Sequence, residues 1–435
     1  MKKRLFKILI LFLVFLLGLA AGYLYFQKIH PQKIETQKQE TNVYIKFLSE
    51  VYDKIKENYW NKLDDEDLGN LFKLGIEKLS GKTQDIKIKD KQDFEDMLTD
   101  IFKIVKEDKN KDFTVQLSQL VLMNLEPQKR NALYTAKNKE DLGNRVQNIN
   151  PENDLYKILG LDKNASQQQI EDAYENKASE LEPKKDKSEE AKQELEKVNY
   201  AYQTLNSPDA KEIYDKKGIE PTVFGKLVRP DMLHLYIKKM SPTTLDELEQ
   251  TTEKFDNTTG LDTLILDLRD NIGGSIELLT YLLGPFIGPD RYAFDFFHQG
   301  DKTPYKTKIG WLPSLARYKK VVILINENTQ SSAEIMAATL KKYNVGVLVG
   351  NKTKGWGTIE SVIDVNTQID PQEKYSIFLV NSLSLNEDNQ PIEGKGVSPT
   401  IQINDSGWEN QLFAYFHYPE LAKAVKEIWN TPPSF

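Results

Sequence analysis

Short apolar runs alternate with amphipathic stretches through the second half of the chain. Val321–Ile325 is a β-branched run of the kind that fills a strand covered on both faces. Asn326, Asn328 and Thr329 follow with turn chemistry, and Ser331 or Ser332 can cap the next helix. Ile335, Met336, Ala338, Thr339 and Leu340 give that helix an apolar face; Val345–Val349 is the next buried strand, and a glycine-rich loop runs through Gly357. A second block, Leu264–Ser275, is a buried strand running into Arg269-Asp270-Asn271 and then Gly273-Gly274. Around these blocks the pattern predicts strands over Met232–Ile237 and Tyr375–Leu385 and helices over Thr243–Phe255, Ser275–Phe286 and Asn410–Trp429. Residues 288–318 read as a connecting excursion.

The first half reads differently. Lys2, Lys3, Arg4 and Lys7 precede Ile8–Phe26, an uncharged apolar run close to the roughly 20 residues that span a bilayer. Tyr23, Tyr25 and Phe26 would sit at the interface. A cleaved signal peptide ending near Leu19-Ala20-Ala21-Gly22 is the competing reading, but the run continues past that site. The expectation is therefore an uncleaved anchor over 1–30, its basic tip cytoplasmic and the bulk of the chain extracytoplasmic, then a polar linker over 31–41. From residue 42, Tyr44, Phe47, Leu48, Val51, Tyr52, Ile55 and Tyr59 recur at helical spacing. Asp64, Asp65 and Asp67 open a second helix, and Asp93–Val105 and Val115–Met123 read as two more. Residues 42–150 thus form a helical arm.

Length and charge narrow the classes. At 435 residues more than one domain is expected. A net charge of -7 argues against general nucleic-acid binding. Cysteine is absent, so there is neither a disulfide nor a thiol nucleophile. His30, His234, His298 and His417 are too scattered to suggest a metal, and no cofactor is implied. Gly350–Gly355 mimics phosphate-loop spacing, but Trp356-Gly357 stands where Lys-Ser/Thr would be needed.

Strand, polar turn, serine and helix is one way to hold a hydroxyl beside a helix N-terminus, where N–H groups favour negative charge. On that stretch alone a plain helix cap is the simpler reading. The glycine pair tips the balance, because paired glycines bring backbone N–H groups close to a ligand. DLRDNIGGS, NENTQSSAEI, VGNKTKGWGT and EGKGVSPTI, in this order, resemble the tail-specific (C-terminal processing) serine proteases over about the last half of the chain. FLSEVYDKIKENYWNKLDDEDL is similar to the same family's helical lead-in. The resemblance implies a crotonase-like α/β core over 221–435 and a Ser–Lys dyad. Ser331 would be the nucleophile, and backbone around Gly273, Gly274 and Ser332 would hold the oxyanion.

One departure is decisive. The family's loop places its dyad lysine between two glycines, and here that residue is Trp356, between Gly355 and Gly357. Indole has one donor and no basic lone pair, so it cannot take a proton from serine. A relocated base would have to come from Lys354, from Lys352, or from Glu360 acting as a carboxylate.

Residues 151–220 resemble a J-domain through DLYKILGL and LNSPDAKEIYD. The family's His-Pro-Asp turn falls on Glu182-Pro183-Lys184, and its basic second helix here carries Glu171, Asp172 and Glu175. That inverted charge would repel the usual ATPase partner, so ordinary co-chaperone action is disfavoured. The module's own partner is not specified by the sequence. It sits where the protease family usually carries a peptide-binding domain, for which there is no pattern here. The expectation is an anchored, extracytoplasmic protein of the tail-specific protease family with impaired or lost catalysis. It would bind unfolded or C-terminal peptide segments along a strand edge near Ser331. The alternatives are an active endopeptidase with a relocated base and a J-domain co-chaperone.

Overall fold

The computed structural model describes residues 42–82, 86–150, 154–185, 188–386 and 388–433. The expected anchor and linker, 1–41, lie outside these residues. Among the described residues no helix is long and apolar enough to cross a membrane.

The core is built on a six-stranded sheet in the order β11-β8-β7-β4-β3-β2. Its strands are β2 (Val223–Arg229), β3 (Met232–Ile237), β4 (Thr263–Asp267), β7 (Lys320–Ile325), β8 (Val347–Gly350) and β11 (Ile401–Gln402). All pairings are parallel except β2 against β3. β3, β4 and β8 are buried along their whole length, as is β7 beyond Lys320. A parallel sheet covered on both faces therefore needs unbroken apolar runs rather than alternation. One face packs on the helices Thr244–Glu253, Ile276–Leu282 and Ser332–Lys342 through Leu248, Leu279 and Met336. The other packs on Trp408–Phe416 and Pro419–Trp429 through Leu412, Leu421 and Val425. The single terminal helix expected from the sequence is two, because His417 is left-handed (φ 52°) and Pro419 starts the second. Because β4 and β7 are parallel neighbours, the loops leaving their C-terminal ends emerge side by side, which is where open α/β sheets place ligands.

A second sheet is organised by β10 (Tyr375–Leu385). It pairs with β9 (Thr358–Asp364), with β1 (Ala132–Thr135) and with β5 (Tyr292–His298), which pairs with β6 (Asp301–Lys306). The excursion expected over 288–318 therefore contains a hairpin, turned by Gln299 (φ 48°) and Gly300 (φ 100°). The arm is likewise not wholly helical, since β1 seats Leu133 opposite Ile377 in the sheet. Its helices, Val43–Asn58, Asp65–Ser80, Lys91–Ile104 and Asn110–Asn124, close over Phe47, Tyr52, Phe72 and Phe94. Each such burial contributes about 1.5–3 kcal/mol. Ile377 and Leu379 of β10 complete that core, so the arm and the second sheet are one packed body.

Among the described residues the J-like module has four α-helices, Leu155–Leu159, Gln167–Leu181, Glu189–Asn206 and Pro208–Lys217. Ser166 caps the second with Gln169 returning the bond, and Leu155, Ile170, Val198 and Leu205 fill the centre. Glu182–Lys184 forms a 3-10 turn, with Lys184 paired to Glu180 and Lys185 to Glu182. The module meets the core where Tyr200 donates to Glu220 (2.8 Å) and the Lys238 ammonium lies 3.5 Å from the Tyr200 ring centroid.

Candidate active site

Ser331 precedes the helix Ser332–Lys342 with φ 58° and ψ -130°. Such a left-handed, non-glycine turn is strained and persists only where its surroundings over-determine it. The strain is held by Glu334, which is fully buried and whose carboxylate takes four donors. These are the Ser331 N–H (3.0 Å), the Thr353 hydroxyl, and the N–H groups of Gly355 and Trp356 (both 2.7 Å). Burial pushes this carboxyl up from its ordinary value, and the donors pull it back. One side chain thereby ties the serine turn to the loop that carries the dyad position. Ser331 is also the N-cap of this helix, with Glu334 returning a bond to its N–H in the manner of a capping box.

The glycine loop closes the other side. A Cβ on Gly273 (φ 82°) would stand 2.7 Å from the Ser331 Cβ, and one on Gly274 (φ 143°) only 1.9 Å from the Met240 carbonyl oxygen. Only glycine permits this approach. The contribution expected from Gly273 needs correction: its N–H is already donated to the Asn271 side chain (2.8 Å). Asn271 is itself buried and donates to the Ile237 carbonyl (2.7 Å). The N–H groups that can be aimed at an oxyanion are those of Gly274 and Ser332. The Ser332 hydroxyl reaches only the Gly274 carbonyl, at 3.5 Å.

Trp356 is half-buried at the dyad position. Its indole N–H donates to Glu360 (3.2 Å), and the Arg130 guanidinium carbon lies 3.4 Å from its ring centroid. Arg130 is fixed in turn by Glu393 (3.0 Å), which also accepts from the Gly357 N–H (2.8 Å). Glu360 lies on β9, where burial raises its pKa and the Thr358 hydroxyl and the Trp356 indole oppose the rise. Lys352 and Lys354 are exposed and take no part in the cleft; the Lys354 N–H donates to the Thr329 carbonyl (3.0 Å). Of the three alternative bases, then, Glu360 lines the same cleft as Ser331, and Lys352 and Lys354 do not.

A cleft of about 400 Å³ joins these parts, lined by Ser331, Gly273, Gly274, Trp356 and Glu360. The exposed Ile272, with Tyr134 stacked on Phe378 at 4.8 Å, gives it apolar walls. Arg130, Arg145 and Lys239 also line it. These three and Glu334 were not singled out from the sequence. The Ser-x-x-Glu spacing of Ser331 and Glu334 was a readable signal, whereas Arg130 and Arg145 reach the site only because β1 docks on β10. His234 is apart from the cleft, buried against Asp267 (3.0 Å), which Arg269 also binds (2.7 Å).

A strained serine beside paired glycines, at the ends of neighbouring parallel strands, defines the class as a serine-peptidase-like α/β domain. Residues 231–403 match the profile of Peptidase family S41 and residues 154–215 that of the DnaJ domain. The chain thus carries an S41-peptidase-like domain beside a DnaJ-like one. The carboxy-terminal processing protease CtpA of Bacillus subtilis is 27% identical over 182 residues, 42% of this chain and 37% of that protein. A probable CtpA-like serine protease of Staphylococcus epidermidis is 27% identical over 176 residues, 40% of this chain and 34% of its own. The chaperone protein DnaJ of Mycoplasmopsis pulmonis is 42% identical over 72 residues, 17% of this chain and 19% of that protein. The chain therefore spans little more than a third of the length of these protease relatives. A solved photosystem II D1 C-terminal processing protease overlaps 42% of this chain and 48% of its own, at TM-score 0.35 and 19% identity.

Proposed function

We propose that the Ser331 cleft takes an extended peptide segment, unfolded or C-terminal, at a serine-peptidase site whose usual base position has been vacated. The observation that carries this reading is the four-donor clamp of Glu334, which keeps Ser331 in a strained turn while Trp356 lies locked under Arg130. Strain of this kind costs of order 1–3 kcal/mol and is at home at ligand sites. Among the described residues β9 pairs with β10 alone, so its other edge is open for strand addition beside Glu360. Arg130 and Arg145 on the wall suit a segment that ends in a carboxylate. Catalysis through the family's lysine position is lost on this reading, because Trp356 has no lone pair to offer. Residues 1–30 would hold the site at the membrane on its extracytoplasmic side, which protease accessibility on intact cells tests.

Fluorescence anisotropy of a labelled unfolded peptide against the full-length chain tests the binding. Wild type and Ser331→Ala should bind alike, and Ala132→Trp, which fills the cleft wall, should abolish binding. Binding that ignores Ala132→Trp would refute the reading.

A further inference from the structure

We propose that Lys239, from the end of β3, is the general base for Ser331. This rests on the peptide-site reading above and adds chemistry to it.

The backbone brings Lys239 to the site. Met240 donates its N–H to the Gly273 carbonyl (2.9 Å) and accepts from the Ser275 N–H (2.9 Å), so the chain beyond β3 is stitched to the glycine loop. Met240 is buried in the core, while Lys239 lines the cleft with Ser331. Its Nζ donates to the Arg145 carbonyl and to the Asn148 side chain (3.3 Å). Two acceptors suit a neutral amine, which has two N–H groups and one lone pair left over. Burial favours that neutral form: it lowers the lysine's pKa, Glu220 opposes it, and Arg145 lowers it further. Arg130 and Lys129 add positive charge to the same cleft, and among the described residues Glu360 is the one carboxylate that lines it. A partly buried lysine whose pKa burial lowers is the form of lysine that serves as a base.

The step balances. The Lys239 lone pair takes the Ser331 hydroxyl proton as Oγ bonds to the peptide carbonyl carbon. The carbonyl electron pair moves onto oxygen, between the N–H groups of Gly274 and Ser332. When the pair returns, the C–N bond breaks and the Lys239 ammonium gives its proton to the leaving amine. Water then attacks the acyl ester, its proton passing to Lys239 and on to Ser331 Oγ, and the new carboxyl end departs. Lys239 enters the cleft from the end of β3, on a different segment from the loop that carries Trp356.

The test is hydrolysis, by the full-length chain, of the peptide shown to bind. Wild type should cleave it, and Ser331→Ala should not. Lys239→Met should lose about 100-fold or more in kcat with little change in peptide binding. Lys239→Arg should lose as much, because guanidinium stays protonated, whereas a lysine that merely held a substrate carboxylate would be rescued by arginine. The wild-type rate should rise through an apparent pKa below the ordinary lysine range. Binding without hydrolysis, or hydrolysis that survives Lys239→Met or Lys239→Arg, overturns this proposal and leaves the peptide site standing; loss of binding in wild type overturns both.

Discussion

Arg130 lies across the face of Trp356, its guanidinium carbon 3.4 Å from the ring centroid, and the same residue is pinned by Glu393 at 3.0 Å. The arm and the protease-like core meet in that stack. A cation over an indole face is worth about 0.5–2 kcal/mol, and more than that is lost if a second cation replaces the ring. Trp356→Lys should therefore lower stability by about 1–3 kcal/mol, and Trp356→Phe, which keeps an aromatic face, should lose less. Urea midpoints of the two variants check this.

Glu334 is an acceptor with four donors around it. Glu334→Gln keeps the shape but turns an NH2 toward groups that are themselves donors. The expected loss is about 1–3 kcal/mol, with the Ser331 turn relaxing. Denaturant unfolding gives the energy, and weakened peptide binding gives the consequence at the site.

Gly274→Ala should be worse than Gly273→Ala. At Gly274 the added carbon meets backbone, the Met240 carbonyl oxygen at 1.9 Å; at Gly273 it meets the Ser331 Cβ at 2.7 Å. The first should cost several kcal/mol and displace the end of β3, while the second should fold but misplace Ser331. Thermal midpoints should fall in that order.

Lys238, beside Glu220 and over Tyr200, is pushed down to about 8 by burial. An unfolded lysine titrates at about 10.4. Below pH 8 both states are protonated and the burial penalty is constant. Between about 8 and 10.4 the unfolded chain binds more protons, so this residue makes stability rise with pH across that window. Tyr200, whose pKa burial raises, acts in the opposite sense above about pH 10 but is common to wild type and variant. The stability difference between wild type and Lys238→Met should therefore shift in favour of wild type from pH 8 to 10.4. A pH-independent difference would show that Lys238 does not carry the effect.

The parallel core was legible because its strands are short, buried and β-branched or leucine-rich, and because the glycine pair and the serine turn each end one of them. Tyr375–Leu385 has the bounds expected for it. Strand β9 was hidden because Trp356-Gly357 reads as loop and its partly buried positions follow no alternation. β1 is four residues between helices, too short for periodicity to register. The site's second half was hidden for the same reason: Arg130, Arg145 and Lys239 converge through strand pairing and backbone stitching, which no local spacing encodes. Ser331, Glu360 and Trp356 do meet in one cleft, whereas Lys354 turns to solvent a short way along the same loop.

The most direct measurement is photo-crosslinking of an unfolded peptide carrying a benzophenone to the full-length chain, with the adducts mapped by mass spectrometry. The account predicts adducts on the Ser331 cleft, at Ile272, Tyr134 and Phe378, that disappear with Ala132→Trp. Adducts confined instead to the groove between the J-like module and the core, around Gln203, Ile213 and Lys254, would contradict it.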